Sequence, residues 1–107
     1  MSEESQLEPT EDGSVMVDIG ADMGALVINT GQELAREEIE ISPHDPGARR
    51  VHVAVRERRA RTGAPRYAAV FPSLRAGDYT VWRHKGADEP ITTVTITGGS
   101  VTEIDWQ

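Results

Sequence analysis

A chain of 107 residues with 18 acidic and 11 basic side chains, a net charge of −7 and no cysteine reads as one domain, long enough to bury about two-thirds of its unfolded surface and fold without staples. The missing cysteines exclude a disulfide framework, thiolate zinc sites and cysteine nucleophiles. No apolar run approaches the roughly 20 residues of a bilayer-crossing helix, and a nucleic-acid-binding domain would normally be basic as a whole.

The opening stretch carries Glu3, Glu4, Glu8, Glu11 and Asp12, which predicts a disordered acidic tail over 1–13 followed by a single β domain over 14–107. With neither a basic n-region nor an apolar h-region the stretch is not a signal peptide, so a cytoplasmic location is expected. Beyond it, apolar residues recur with period two, as half-buried strands require. Strands are expected near 14–19 (Val15, Val17, Ile19), 25–29, 37–42 (Ile39, Ile41), 50–58, 66–72, 79–84, 91–97 (Val94, Ile96) and 101–106. Turn chemistry separates them: GADMG at 20–24, NTGQ at 29–32, SPHDPG at 42–47, RTGAP at 61–65, RAGD at 75–78, KGADEP at 85–90 and GGS at 98–100. TGQELAREEIEI has a helical look, but Glu38-Ile39-Glu40-Ile41 alternates and reads as a strand, leaving room for one short turn within 30–36. Seven or eight short strands at regular spacing imply a sandwich or barrel.

FPSLRAGDYTVW at 71–82 has the order F-x-x-L-x-x-G-x-Y-x-V. Phe71 is expected to end a strand facing inward, with Leu74 plugging the core from the connecting turn. Gly77 would permit a tight return, and Tyr79 and Val81 would resume the inward alternation. This stretch resembles the signature of the Cna-B-like and carboxypeptidase-regulatory-like β-sandwiches, relatives of the prealbumin-like fold. GALVINTGQELAREEIEI resembles their first two strands with a plugging Leu34, and VTITGGSVTEIDW is similar to their closing hairpin. GALVINTG, EIEISP, HVAVRER, AAVFPSL and GDYTVW resemble a family of small proteins of high-GC Gram-positive bacteria, often labelled phospholipase. The resemblance implies an all-β, seven- or eight-stranded antiparallel β-sandwich of prealbumin-like or immunoglobulin-like type.

The chemistry open to such a chain is limited. The isopeptide cross-link of some Cna-B-like domains needs a buried Lys and a facing Asn, but Lys85 lies in a turn and Asn29 ends an early strand. An esterase needs an activated nucleophile, yet no G-x-S-x-G elbow is present and the serines occupy the tail, turns and loops. A metal site could be assembled from His44, Asp45, His52 and His84, although no local H-x-H or H-x-x-x-H spacing preorganises it. Such a site would support the alternative function, a metal-assisted hydrolase of phosphoesters or lipids. Asp18 and Asp22 in DIGADMG lack the order of a calcium loop and read as a turn. No cofactor is implied.

Seven arginines between Arg49 and Arg66 face only Glu57. If 51–59 pairs with 66–71 so that His52 faces Val70, Ala54 faces Ala68 and Arg56 faces Arg66, then Val51, Val53, Val55, Tyr67, Ala69 and Phe71 point inward. The outer face then collects His52, Ala54, Arg56, Arg58, Arg66, Ala68 and Val70: a small flat apolar centre rimmed by arginines that fork to carboxylates. The competing interpretation is a solvated face on which the arginines satisfy Glu38, Glu40 and Glu57. Trp106 shares a phase with Thr102 and Ile104 and is expected to close one end of the core. Trp82, beside Arg83 and His84, either contacts a partner or packs at the rim. The expected function is a non-enzymatic interaction module whose partner is an acidic protein surface or a second copy of the chain, with neither nucleic acid nor a membrane span involved.

Overall fold

The structure is a computed structural model that describes residues 19–45, 47–59 and 63–106. The expected tail and nearly all of the expected first strand lie outside the described residues. Eight strands follow: β1 (Met23–Thr30), β2 (Glu38–Pro43), β3 (Val51–Ala54), β4 (Arg56–Arg59), β5 (Pro65–Arg75), β6 (Gly77–Trp82), β7 (Pro90–Ile96) and β8 (Val101–Asp105). One 3-10 turn, Gln32–Leu34, occupies the stretch that looked helical. Two four-stranded sheets, β4-β5-β1-β8 and β3-β2-β6-β7, make an all-β sandwich. Pairing is antiparallel except between β1 and β8, which run parallel. No helix among the described residues is long and apolar enough to cross a membrane.

Period-two alternation builds the core. Leu26 and Ile28 from β1, Ile39 and Ile41 from β2, Ala69 and Phe71 from β5, Tyr79 and Val81 from β6, and Val94 and Ile96 from β7 meet between the sheets. Trp106 and Ile104 pack against one margin of this cluster, as their shared phase predicted.

The F-x-x-L spacing turns on a bulge. β1 advances from Gly24 to Leu26 through Ala25 alone while its partner β5 runs from Leu74 to Phe71 through Ser73 and Pro72, so β5 holds one extra residue there. That residue flips the phase, and Phe71 and Leu74 both face the core despite their odd separation. Leu74 therefore belongs to β5 and not to the connecting turn. The chain then changes sheets through Ala76, whose N–H donates to the Asp22 carbonyl at 2.7 Å, and through Gly77 at φ +145°, a conformation side chains disfavour. The Tyr79 hydroxyl donates to the Arg75 carbonyl at 2.7 Å and closes this corner.

Three other connections also change sheets, the first of them from β1 to β2 by way of the Gln32–Leu34 turn. The expected strand 50–58 breaks at Val55, whose N–H donates to the Glu37 carbonyl at 2.8 Å while its carbonyl accepts from Arg36 N–H at 2.9 Å. Residues before Val55 join β2 in one sheet and residues after it join β5 in the other. Val51, expected inward, starts the edge strand β3 and is 41% exposed. The GGS stretch likewise passes from β7 in one sheet to β8 in the other, so the expected closing hairpin does not form.

Candidate interaction faces

On the β4-β5-β1-β8 sheet, Tyr67, Ala69 and Phe71 face the core, leaving Arg66, Ala68 and Val70 outward. The register places Arg58 opposite Arg66 and Arg56 opposite Ala68, two residues away from the expected pairing. A two-residue difference preserves the face of each side chain but changes its neighbours. Arg56, Arg58, Arg66, Ala68 and Val70 are thus brought onto one sheet. His52 and Ala54 are not. The switch at Val55 takes them to the other sheet, opposite Glu40 and Glu38.

Across the first sheet, Ala68 neighbours Asn29 and Asn29 neighbours Asp105, while Val70 neighbours Val27 and Val27 neighbours Glu103. The outer face is consequently basic along β4 and β5 and acidic along β8. Its centre, Val27, Ala68 and Val70 with Val101 against them, is already buried in the single chain and is not the open apolar patch expected. Asn29 Nδ2 donates to Glu103 Oε2 at 2.7 Å and to Asp105 Oδ1 at 3.2 Å. Arg66 Nη2 lies 3.8 Å from Glu103 Oε2, a loose exposed pair of little energetic weight.

The outer face of the second sheet holds a network in which an arginine satisfies Glu40, as the competing interpretation expected, and which also draws in Trp82 and the loop after β6. Glu38, Glu40 and Ser42 are outward because Ile39 and Ile41 are inward. Arg50 Nη1 donates to Glu40 Oε1 at 3.1 Å and to the Ala87 carbonyl at 2.8 Å, and its guanidinium lies 3.8 Å from the centre of the Trp82 ring. Trp82 Nε1 donates to Ser42 Oγ at 2.9 Å. Gly86 N–H donates to Glu40 Oε1 at 2.8 Å, folding the loop after β6 onto the sheet. Burial pushes the Glu40 carboxyl up, but the Gly86 N–H, the Arg50 guanidinium and the nearby His52 outweigh it and hold the group below its ordinary value. Trp82 is therefore engaged within the chain. The signal available in the sequence was E-I-E-I alternation followed, ten residues beyond Glu40, by Arg50.

The metal candidates separate. His44 Nε2 is 3.0 Å from Thr80 Oγ1, His52 Nδ1 is 2.8 Å from Glu38 Oε1, and His84 Nδ1 donates to the Lys85 carbonyl at 3.0 Å. Among the described residues no three His, Asp or Glu side chains could hold a metal ion together. The set His44, Asp45, His52 and His84 is corrected accordingly: these residues sit on β3 and on separate loops around the second sheet.

These surfaces belong to a small all-β sandwich with one charge-divided face, one face locked by an Arg–Glu–Trp network and a cleft at the seam between β7 and β8. Comparisons with protein-family models, with curated proteins and with solved structures find no match to this chain.

Proposed function

We propose that this chain is a non-enzymatic interaction module that docks an acidic protein surface on the basic flank of its β4-β5 sheet edge. The observation that carries this is the direct cross-strand pairing of Arg58 with Arg66, with Arg56 on the same face of that short strand opposite Ala68. Guanidinium groups fork to carboxylates with paired donors, so closely spaced arginines on one sheet face give a partner's acidic surface several points of attachment. The net charge of −7 and the acidic β8 flank repel a long polyanion such as nucleic acid, which favours a protein partner with a local acidic patch.

The test is affinity capture from native lysate with the full chain beside Arg56→Glu and Arg66→Glu, both exposed positions whose reversal leaves the core intact. The same partner should be retained by the unaltered chain, lost with either reversal and released by moderate salt. Capture that survives both reversals overturns the assignment.

A further inference from the structure

The second sheet ends at β7, and among the described residues nothing pairs with the outer backbone edge of that strand. An open edge is a template for another strand, and proteins blunt theirs with charge, proline, bulges or shortness. The other three edges show such devices: β3 has 4 residues, β4 reads Arg-Glu-Arg-Arg, and β8 carries Glu103 and Asp105. β7 is 7 residues long, Pro-Ile-Thr-Thr-Val-Thr-Ile, with a proline only at its first position and no charge. Every residue after the proline is β-branched, the type that fits a pleated surface best.

A second observation lies behind the same strand. The sandwich is open there, with a cavity of about 300 Å³ between β7 and β8 lined by Val81, Ile91, Thr92, Ile104 and Trp106 among others. A strand added to β7 would continue the sheet over this cleft.

We propose that the chain forms a twofold dimer by antiparallel pairing of β7 with β7 of a second copy, joining two four-stranded sheets into one of eight. The occupant follows from charge. In a twofold contact each element meets its own kind, so an edge bearing charges repels its copy. β7 alone among the four edges combines length with neutrality. Thr93 on the axis sets Thr92 opposite Val94 of the other copy. Val94 is buried and Thr92 lines the cleft, so the inward side chains of the added strand extend the roof over Ile104 and Trp106. Because each copy carries a net charge of −7, added salt screens their repulsion and tightens the dimer. This is the opposite of the salt response of the Arg56/Arg66 contact.

Sedimentation equilibrium of the full chain, from micromolar to millimolar concentration at low and moderate salt, reads the proposal directly. The unaltered protein should self-associate to a dimer that salt strengthens. Thr93→Lys and Thr93→Asp, at an exposed position, each set two like charges against one another at the axis. Each should weaken association by about tenfold or more, and an equimolar mixture of the two should restore it. At moderate salt, where the repulsion of the net charges is screened, Arg66→Glu should leave the dimer unchanged. A protein monomeric throughout the range, a dimer indifferent to both Thr93 substitutions, or a mixture no tighter than either variant alone would overturn the proposal.

Discussion

Glu40 sits on the outward phase of β2 and is nevertheless only 7% exposed, because the loop after β6 and the Arg50 side chain cover it. A buried carboxylate is tolerable only when its lone pairs are filled, and here a backbone N–H and a guanidinium converge on the same oxygen. The folded-state value lies below the ordinary 4.5, so the stability this group contributes is complete above that value. It is lost as the pH falls through the lower folded one. Glu40→Gln removes the charge and retains an acceptor. Denaturant melts of the two proteins should therefore differ by a constant amount at neutral pH and converge in acid. At neutral pH, Glu40→Ala should cost about 1–3 kcal/mol, since it leaves the Gly86 N–H without its acceptor and Arg50 without its carboxylate partner. A gap between the wild-type and Gln proteins that stays constant from neutral pH to well below 4.5 would falsify this account of the network.

At the level of the elements, most strands were legible because alternation is a local signal that one sheet face enforces. β1, β2, β5, β6, β7 and β8 all stand within a few residues of where period two put them. Where a strand changes sheets was not legible. V-H-V-A-V-R-E-R keeps its alternation straight through Val55, and a change of sheet there adds no residue, no glycine and no proline to mark it. That one invisible event divided the expected face, sending His52 and Ala54 one way and Arg56 and Arg58 the other. The bulge in β5 was hidden for a related reason: Leu74 had the right burial and the wrong phase, and only the pairing with Gly24 resolves the two. Gly24 is itself fixed by packing, since a Cβ there would collide with the Thr97 carbonyl and crowd Ile96 Cγ2 and the Ser100 carbonyl. Gly24→Ala should destabilise the domain by about 1–3 kcal/mol with no loss of secondary structure. Thermal melting checks this, and an unchanged midpoint would show that the 97–100 turn yields freely.

For the whole molecule, the consequence is an uneven distribution of stability. β5 and β1 are the interior strands of one sheet, and β2 and β6 are the interior strands of the other. Of the large fully buried side chains, Leu26, Ile28, Ile39, Ile41 and Val81 lie on β1, β2 and β6, while Val55 sits at the β3–β4 crossing and Ile96 at the far end of β7; Ala69 on β5 is fully buried as well. β7 and β8 border the open seam, with Ile91, Ile104 and Trp106 only half-buried around the cleft. Backbone groups at such margins open by local fluctuation, whereas those of the interior strands open only with global unfolding, on the order of 5–15 kcal/mol for a domain of this kind. Native-state hydrogen exchange in dilute solution should therefore give the slowest amides in β1, β2, β5 and β6, and nearly unprotected ones along the outer edge of β7. Raising the protein concentration separates an open edge from an occupied one. Pairing of β7 with a second copy should slow its outward amides selectively and leave those of β4 as they were, because the arginine flank takes no part in that contact. Protection of β7 already equal to that of β1 at the lowest concentration would mean that the seam is closed within the single chain, and the edge would then have nothing left to offer a partner.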